Sequence, residues 1–85
     1  MVNDMEKFET LVRNLFVPLV IHPDDLVVKT ISIEDTMTTL QVLVNQEDLG
    51  RVIGKGGRVA NAVRTIAYAS AAKDGKRVRI DIDSF

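Results

Sequence analysis

Three glycines fall within four residues at Gly54-Lys55-Gly56-Gly57, and the segments on either side of them carry helical periodicity. Upstream, Gln46 to Ile53 reads as a short helix, with Asn45 placed to cap it. Downstream, Arg58 to Lys73 reads as a longer helix that puts Val59, Ala62, Val63, Ile66 and Ser70 on one face, with Asp74-Gly75 closing it. A chain can end one helix and begin another in so few residues only where the backbone reaches positive φ, which glycine does without penalty. The missing side chains have a second effect, since another backbone can come directly onto the amides of the loop. The free N–H groups and partial positive charge of the following helix favour phosphate at that place. Lys55 adds a mobile charge at the tip, and Arg58 adds a guanidinium able to fork onto phosphate.

Three kinds of phosphate loop can be compared with this segment. A Walker A loop needs four residues between its glycines and a hydroxyl after the lysine; Gly50 and Gly54 enclose three, and Gly56 follows Lys55. A dinucleotide fingerprint starting at Gly54 needs glycine at 59, where Val59 stands, and a strand before the loop. Both fail. A G-x-x-G loop between two helices, of the kind that clamps a run of single-stranded nucleotides, is satisfied.

The rest of the chain supplies the surroundings. Met5, Phe8, Leu11, Val12, Leu15 and Phe16 have the spacing of an amphipathic helix, which Asn3 or Asp4 can cap and Pro18 disfavours beyond Phe16. From Leu26 the period changes to two. A first strand leads through the turn Glu34-Asp35-Thr36 to a second, Thr38 to Asn45, and Arg77 to Ile82 makes a third. The order α–β–β–α–α–β in 85 residues predicts a single α+β domain spanning 1–85, a three-stranded sheet with helices packed on one face. The chain has no cysteine, no charged-then-apolar leader and no apolar run long enough for a bilayer, so a cytoplasmic protein away from membranes is expected.

Charge is unevenly spread. Among residues 1–50, three Lys/Arg stand against nine Asp/Glu; among residues 51–79, eight stand against Asp74 alone. A basic end of this kind suits phosphates, and it also suits a merely solvated face. His22 has no companion ligands, no nucleophile–base set can be assembled, and the paired carboxylates lie in the acidic half. No enzyme, metal or cofactor is expected.

At Val52-Ile53-Gly54-Lys55-Gly56-Gly57-Arg58, with this element order around it, the chain resembles the KH family in its bacterial, type II arrangement. The resemblance extends to His22-Pro23-Asp24-Asp25, to Glu47 through Arg51, to Arg64-Thr65-Ile66 and to Gly75-Lys76-Arg77-Val78. Within the family it closely resembles small stand-alone KH proteins, which implies RNA binding in a bacterial cytoplasm, as a homodimer or with a larger multi-domain KH protein. Gly56 departs from the family's usual longer side chain. Arg51, Val52, Ile53, Gly54, Lys55, Gly56, Gly57 and Arg58 are the expected RNA-binding residues. The groove is expected between this loop and the second strand with the Glu34-Asp35-Thr36 turn; Val52, Ile53, Val42 and Val44 suit either its floor or the core. Asn61, Arg64, Thr65, Tyr68 and Ala72 share the outward face of the long helix, a candidate surface for self-association. An adaptor that has given up RNA is the competing function.

Overall fold

The structure is a computed structural model that describes residues 4–85, with side chains from Glu6 onward. Helix α1 runs over Asp4–Phe16 and passes into a 3-10 turn at Val17–Leu19, where Pro18 ends the α-helical hydrogen bonding. The cap expected of Asn3 or Asp4 lies outside the described side chains. A second 3-10 turn at Pro23–Asp25 leads into strand β1, Val27–Ile33. Strand β2, Thr38–Val44, returns antiparallel to it, with Glu34 and Met37 exchanging backbone hydrogen bonds across the turn.

Helix α2 spans Gln46–Ile53 and α3 Arg58–Lys73. They carry the chain over the sheet so that β3, Val78–Ser84, lies parallel to β2. The sheet order is β1-β2-β3, which leaves β2 in the centre and β1 and β3 at the edges. The α+β fold expected from the sequence is present, with a mixed sheet.

One face of the sheet holds the core. Leu40, Val42 and Val44 of β2 and Ile80 of β3 pack against Val12 and Phe16 of α1, Val52 of α2, and Val63 and Ala67 of α3. At roughly 25 cal/mol per Å² of apolar surface, this layer is what holds three short helices to a small sheet.

The buried face of α3 differs from the expected one. Ala60, Val63, Ala67 and Ala71 point inward, while Ile66 is 49% exposed. Three small residues let the helix axis sit close to the sheet, and that proximity outweighs the larger transfer energy of Ile66. The helix ends as expected: Gly75 takes φ +69, its N–H donates to the Ala72 carbonyl, and the Lys76 N–H donates to that of Ala71.

Each edge strand also meets a side chain from a neighbouring helix. The Glu9 carboxylate of α1 accepts the Thr30 N–H at 2.9 Å and its hydroxyl at 2.6 Å on β1. Arg64 of α3 donates through Nε to the Ile80 carbonyl on β3 at 3.3 Å.

Candidate nucleic-acid interface

Helix α2 is fixed at its first turn. Asn45 caps it, its side-chain oxygen accepting the Glu47 N–H at 2.8 Å. Asp48 turns inward, although an acid in this turn would ordinarily face solvent. Its carboxylate accepts the N–H groups of Ile21 at 2.9 Å and His22 at 3.0 Å, and the side chain is fully enclosed. Burial alone would raise its pKa. The two backbone hydrogen bonds, with the charges of His22 and Arg51, outweigh that and hold it below the ordinary carboxylate value. Arg51 lies one turn on at the exposed rim, its Nε 3.8 Å from the same carboxylate. One buried acid thus ties the helix that leads into the loop to the segment after α1, independently of apolar packing.

The loop has a demanding geometry at its first residue. Gly54 adopts φ 75, ψ 169, and a Cβ there would lie 2.5 Å from Val59 Cγ2 and 2.9 Å from the Val59 nitrogen. Its N–H closes α2 on Gly50, and a single 3-10 turn, Lys55–Gly57, carries the chain to Arg58. Gly57 occupies the cap position of α3, and no side chain caps that helix. The Gly57 N–H donates to the Gly54 carbonyl and the Arg58 N–H to that of Lys55, so the turn takes up the first amides itself, and exposed Lys55, Arg58 and Arg51 stand around it. The sequence-predicted phosphate-facing groups come together here.

Three of the four expected apolar residues do not. Val52 is fully buried in the core, as are Val42 and Val44, so these three serve packing and cannot meet a base; Ile53 is half-buried beside the loop. The expected opposite wall also moves. Strand β2 is paired on both sides, and the Glu34-Asp35-Thr36 turn lies beside Gly75-Lys76-Arg77 at the far end of α3, where the Thr38 N–H bonds the Arg77 carbonyl. The strand flanking α3 with a free edge is β3.

Residues of the outward face of α3 line this gap. Asn61 stands one turn below Gly57, and Arg64 Nη1 is 3.5 Å from its side-chain oxygen while Nε reaches Ile80. The Thr65 hydroxyl bonds back to the Asn61 carbonyl at 2.8 Å. Tyr68 and Ala72 follow along the same face and line a cleft of about 390 Å³ with Val78 and Arg79 of β3. Arg64 thus bridges α3 to the β3 edge between the glycine loop and that cleft. Among the described residues, no group of His, Cys, Asp and Glu side chains could hold a metal ion.

The sequence model of the KhpA/KhpB KH domain matches residues 9–82, which contain the loop, β1, β2 and most of β3. The chain belongs to the KhpA/KhpB KH-domain family. It is 46% identical over 74 residues to the RNA-binding protein KhpA of Listeria monocytogenes, covering 87% of this chain and 96% of that one. It is also 46% identical over 81 residues to RNA-binding protein KhpA of Streptococcus pneumoniae, covering 93% and 98%. Among solved structures it is similar to Era of Aquifex aeolicus, with a TM-score of 0.72 and 18% identity over 93% of this chain and 31% of that one. This last likeness concerns the fold. Among the described residues, no helix is long and apolar enough to cross a membrane.

Proposed function

We propose that this KH domain binds single-stranded RNA, with the strand's phosphates on the Gly54-Lys55-Gly56-Gly57 loop and its bases beside Ile53. The observation that carries the reading is a loop whose first glycine cannot bear a side chain, set at the start of α3 and ringed by exposed Arg51, Lys55 and Arg58. Ile53 is the apolar contact available beside the loop, and Gly54, Gly56 and Gly57 supply close backbone approach. The relatives' name as RNA-binding proteins supports the same conclusion.

In this reading the chain acts in the cytoplasm as a binding protein without catalytic chemistry, in post-transcriptional regulation of the RNA-chaperone kind. The family resemblance ties that role to cell growth, cell shape and envelope synthesis. The groove is shallow, so affinity per domain is modest, and a second KH unit would add avidity. That unit is a second copy or a larger KhpB-like protein, and the outward face of α3 from Asn61 to Ala72 is a surface on which the two could meet.

Replacing Lys55 and Gly56 together with Asp tests the assignment. Two negative charges then face the phosphates, and aspartate tolerates the left-handed backbone at position 56 better than most residues. A gel shift with single-stranded RNA is expected to lose the bound band while circular dichroism still shows the cooperative melting of a folded domain. Unchanged RNA affinity would remove RNA from the loop and favour an adaptor that uses the fold without nucleic acid.

A further inference from the structure

We propose that the open face of the sheet, at the end formed by Val27, Leu43 and Phe85, docks a basic amphipathic helix of a partner protein. The three helices of the domain pack on the other side, against Leu40, Val42, Val44 and Ile80. Strand alternation sends the intervening residues the opposite way. Val27 and Leu43 are direct cross-strand partners, and Asp83 of β3 stands beside Leu43 in the register. The Phe85 N–H bonds the Val44 carbonyl, so the alternation of Asp81 and Asp83 carries on to Phe85. Val27 is 36% and Phe85 60% exposed, and Leu43 is half-buried on the central strand. Single exposed apolar residues are ordinary, whereas neighbours spread over three strands form a patch that marks an interaction site. Among the described residues, no element covers it.

Charge decides the occupant. Asp83 and Asp25 are both exposed at this end, and Asp25 shares a hollow of about 420 Å³ with Phe85. Among the described residues, neither acid forms an ion pair with a Lys or Arg. Asp81, farther along the face, is already paired with Arg79 at 3.0 Å. Lys29, two residues along β1 from Val27, stands opposite neutral Gln41. A surface of this sign repels RNA and anionic lipid, and a second copy would bring acids against acids. A segment with Lys or Arg beside apolar side chains complements both features.

Dimensions favour a helix. Three strands at about 4.8 Å spacing make a face about 10 Å wide, which matches the roughly 10–12 Å diameter of an α-helix with its side chains. An extended peptide would instead seek a strand edge, where Glu9 holds the Thr30 N–H of β1 and Arg64 holds the Ile80 carbonyl of β3. A helix satisfies its own backbone and can lay one apolar stripe on the patch, with its basic residues over Asp83 and Asp25. The glycine loop and the outward face of α3 are left free. RNA, a second KH unit and the docked helix can then be held at once.

The test uses the whole chain, without RNA, and two short labelled helix-forming peptides followed by anisotropy. One combines leucine and lysine at amphipathic spacing; the other has glutamate for lysine. The lysine peptide is expected to bind and the glutamate peptide is not. Asp83→Lys should weaken the lysine peptide about 2- to 30-fold, as reversal of an exposed charge does, and give the glutamate peptide measurable affinity. Val27→Ser removes the apolar contact and should weaken the lysine peptide by up to about tenfold. The Lys55→Asp, Gly56→Asp protein should lose RNA and still bind the lysine peptide.

Equal binding of the lysine peptide by wild type, Asp83→Lys and Val27→Ser would make its attraction general to an acidic chain and overturn the site. Failure of that peptide to bind wild type overturns it as well. If Val27→Ser weakens single-stranded RNA binding and leaves the peptide untouched, the face belongs to RNA and the docked helix is refuted. If the same variant converts a sedimenting dimer to a monomer while peptide affinity holds, the face is a contact between copies and the proposal falls. RNA binding retained by the loop variant counts instead against RNA at the loop, and leaves this surface standing.

Discussion

Three glycines, one in α2 and two in the loop after it, should respond to the same substitution in three different ways. Gly54→Ala meets two obstacles. Its φ of 75 with ψ of 169 is a region nearly reserved for glycine, which costs another residue about 1–3 kcal/mol. Its new Cβ would lie 2.5 Å from Val59 Cγ2 and 2.9 Å from the Val59 nitrogen, and overpacking of that kind costs about 1–3 kcal/mol more. The sum, about 2–6 kcal/mol, is a large part of the roughly 4–13 kcal/mol available to 85 residues. Gly56→Ala meets no atom within 4 Å and bears only the left-handed backbone cost of about 1–2 kcal/mol. Gly50 is helical with open space around it, so Gly50→Ala should stabilise the domain by up to about 1 kcal/mol. Urea unfolding followed by circular dichroism should rank the midpoints Gly50→Ala, wild type, Gly56→Ala and Gly54→Ala, from highest to lowest. Adding Val59→Ala to Gly54→Ala should recover only part of the loss, because the backbone nitrogen remains in the way. A Gly54→Ala protein no less stable than Gly56→Ala would refute the steric argument.

Two further outcomes follow from the charges. If Lys55, Arg58 and Arg51 each neutralise one phosphate of a short oligonucleotide, the logarithm of affinity should fall with the logarithm of salt at a slope of about −2, measured by titration at several salt concentrations. A slope near zero would make the basic rim a solvated face. Asp48, held below its ordinary pKa of 3.8, contributes stability that is complete above about pH 4 and is lost as pH falls through its lower folded-state value. Asp48→Asn should therefore melt several degrees lower than wild type at pH 7, with the gap narrowing as the pH falls below about 4; a gap that does not narrow on acidification would contradict the assignment.

What could be read from the sequence was mostly local. The order of elements, the Asn45 cap, the Gly75 closure and the glycine loop each depend on residues a few positions apart. The buried face of α3 was obscured because alanine gives little hydrophobic signal, so Ile66 drew the face toward itself while Ala60, Ala67 and Ala71 did the packing. The groove wall was assigned to β2 because no local pattern says that β3 lies parallel beside it, with its outer edge toward α3. Asp48 did leave a trace. It lies four residues before buried Val52, so an acid stands on the apolar stripe of α2, a position that calls for buried partners.

RNA binders often work as crowds. Many copies on one strand lie side by side in a common orientation, an arrangement that would encourage bare strand edges to zip into a growing fibre. Here the ribbon is stoppered at both flanks, by Glu9 on a main-chain donor of β1 and by Arg64 on a main-chain acceptor of β3. A carboxylate and a guanidinium, one at each edge of a three-strand sheet, thus occupy main-chain groups that a neighbouring chain's strand would otherwise pair with.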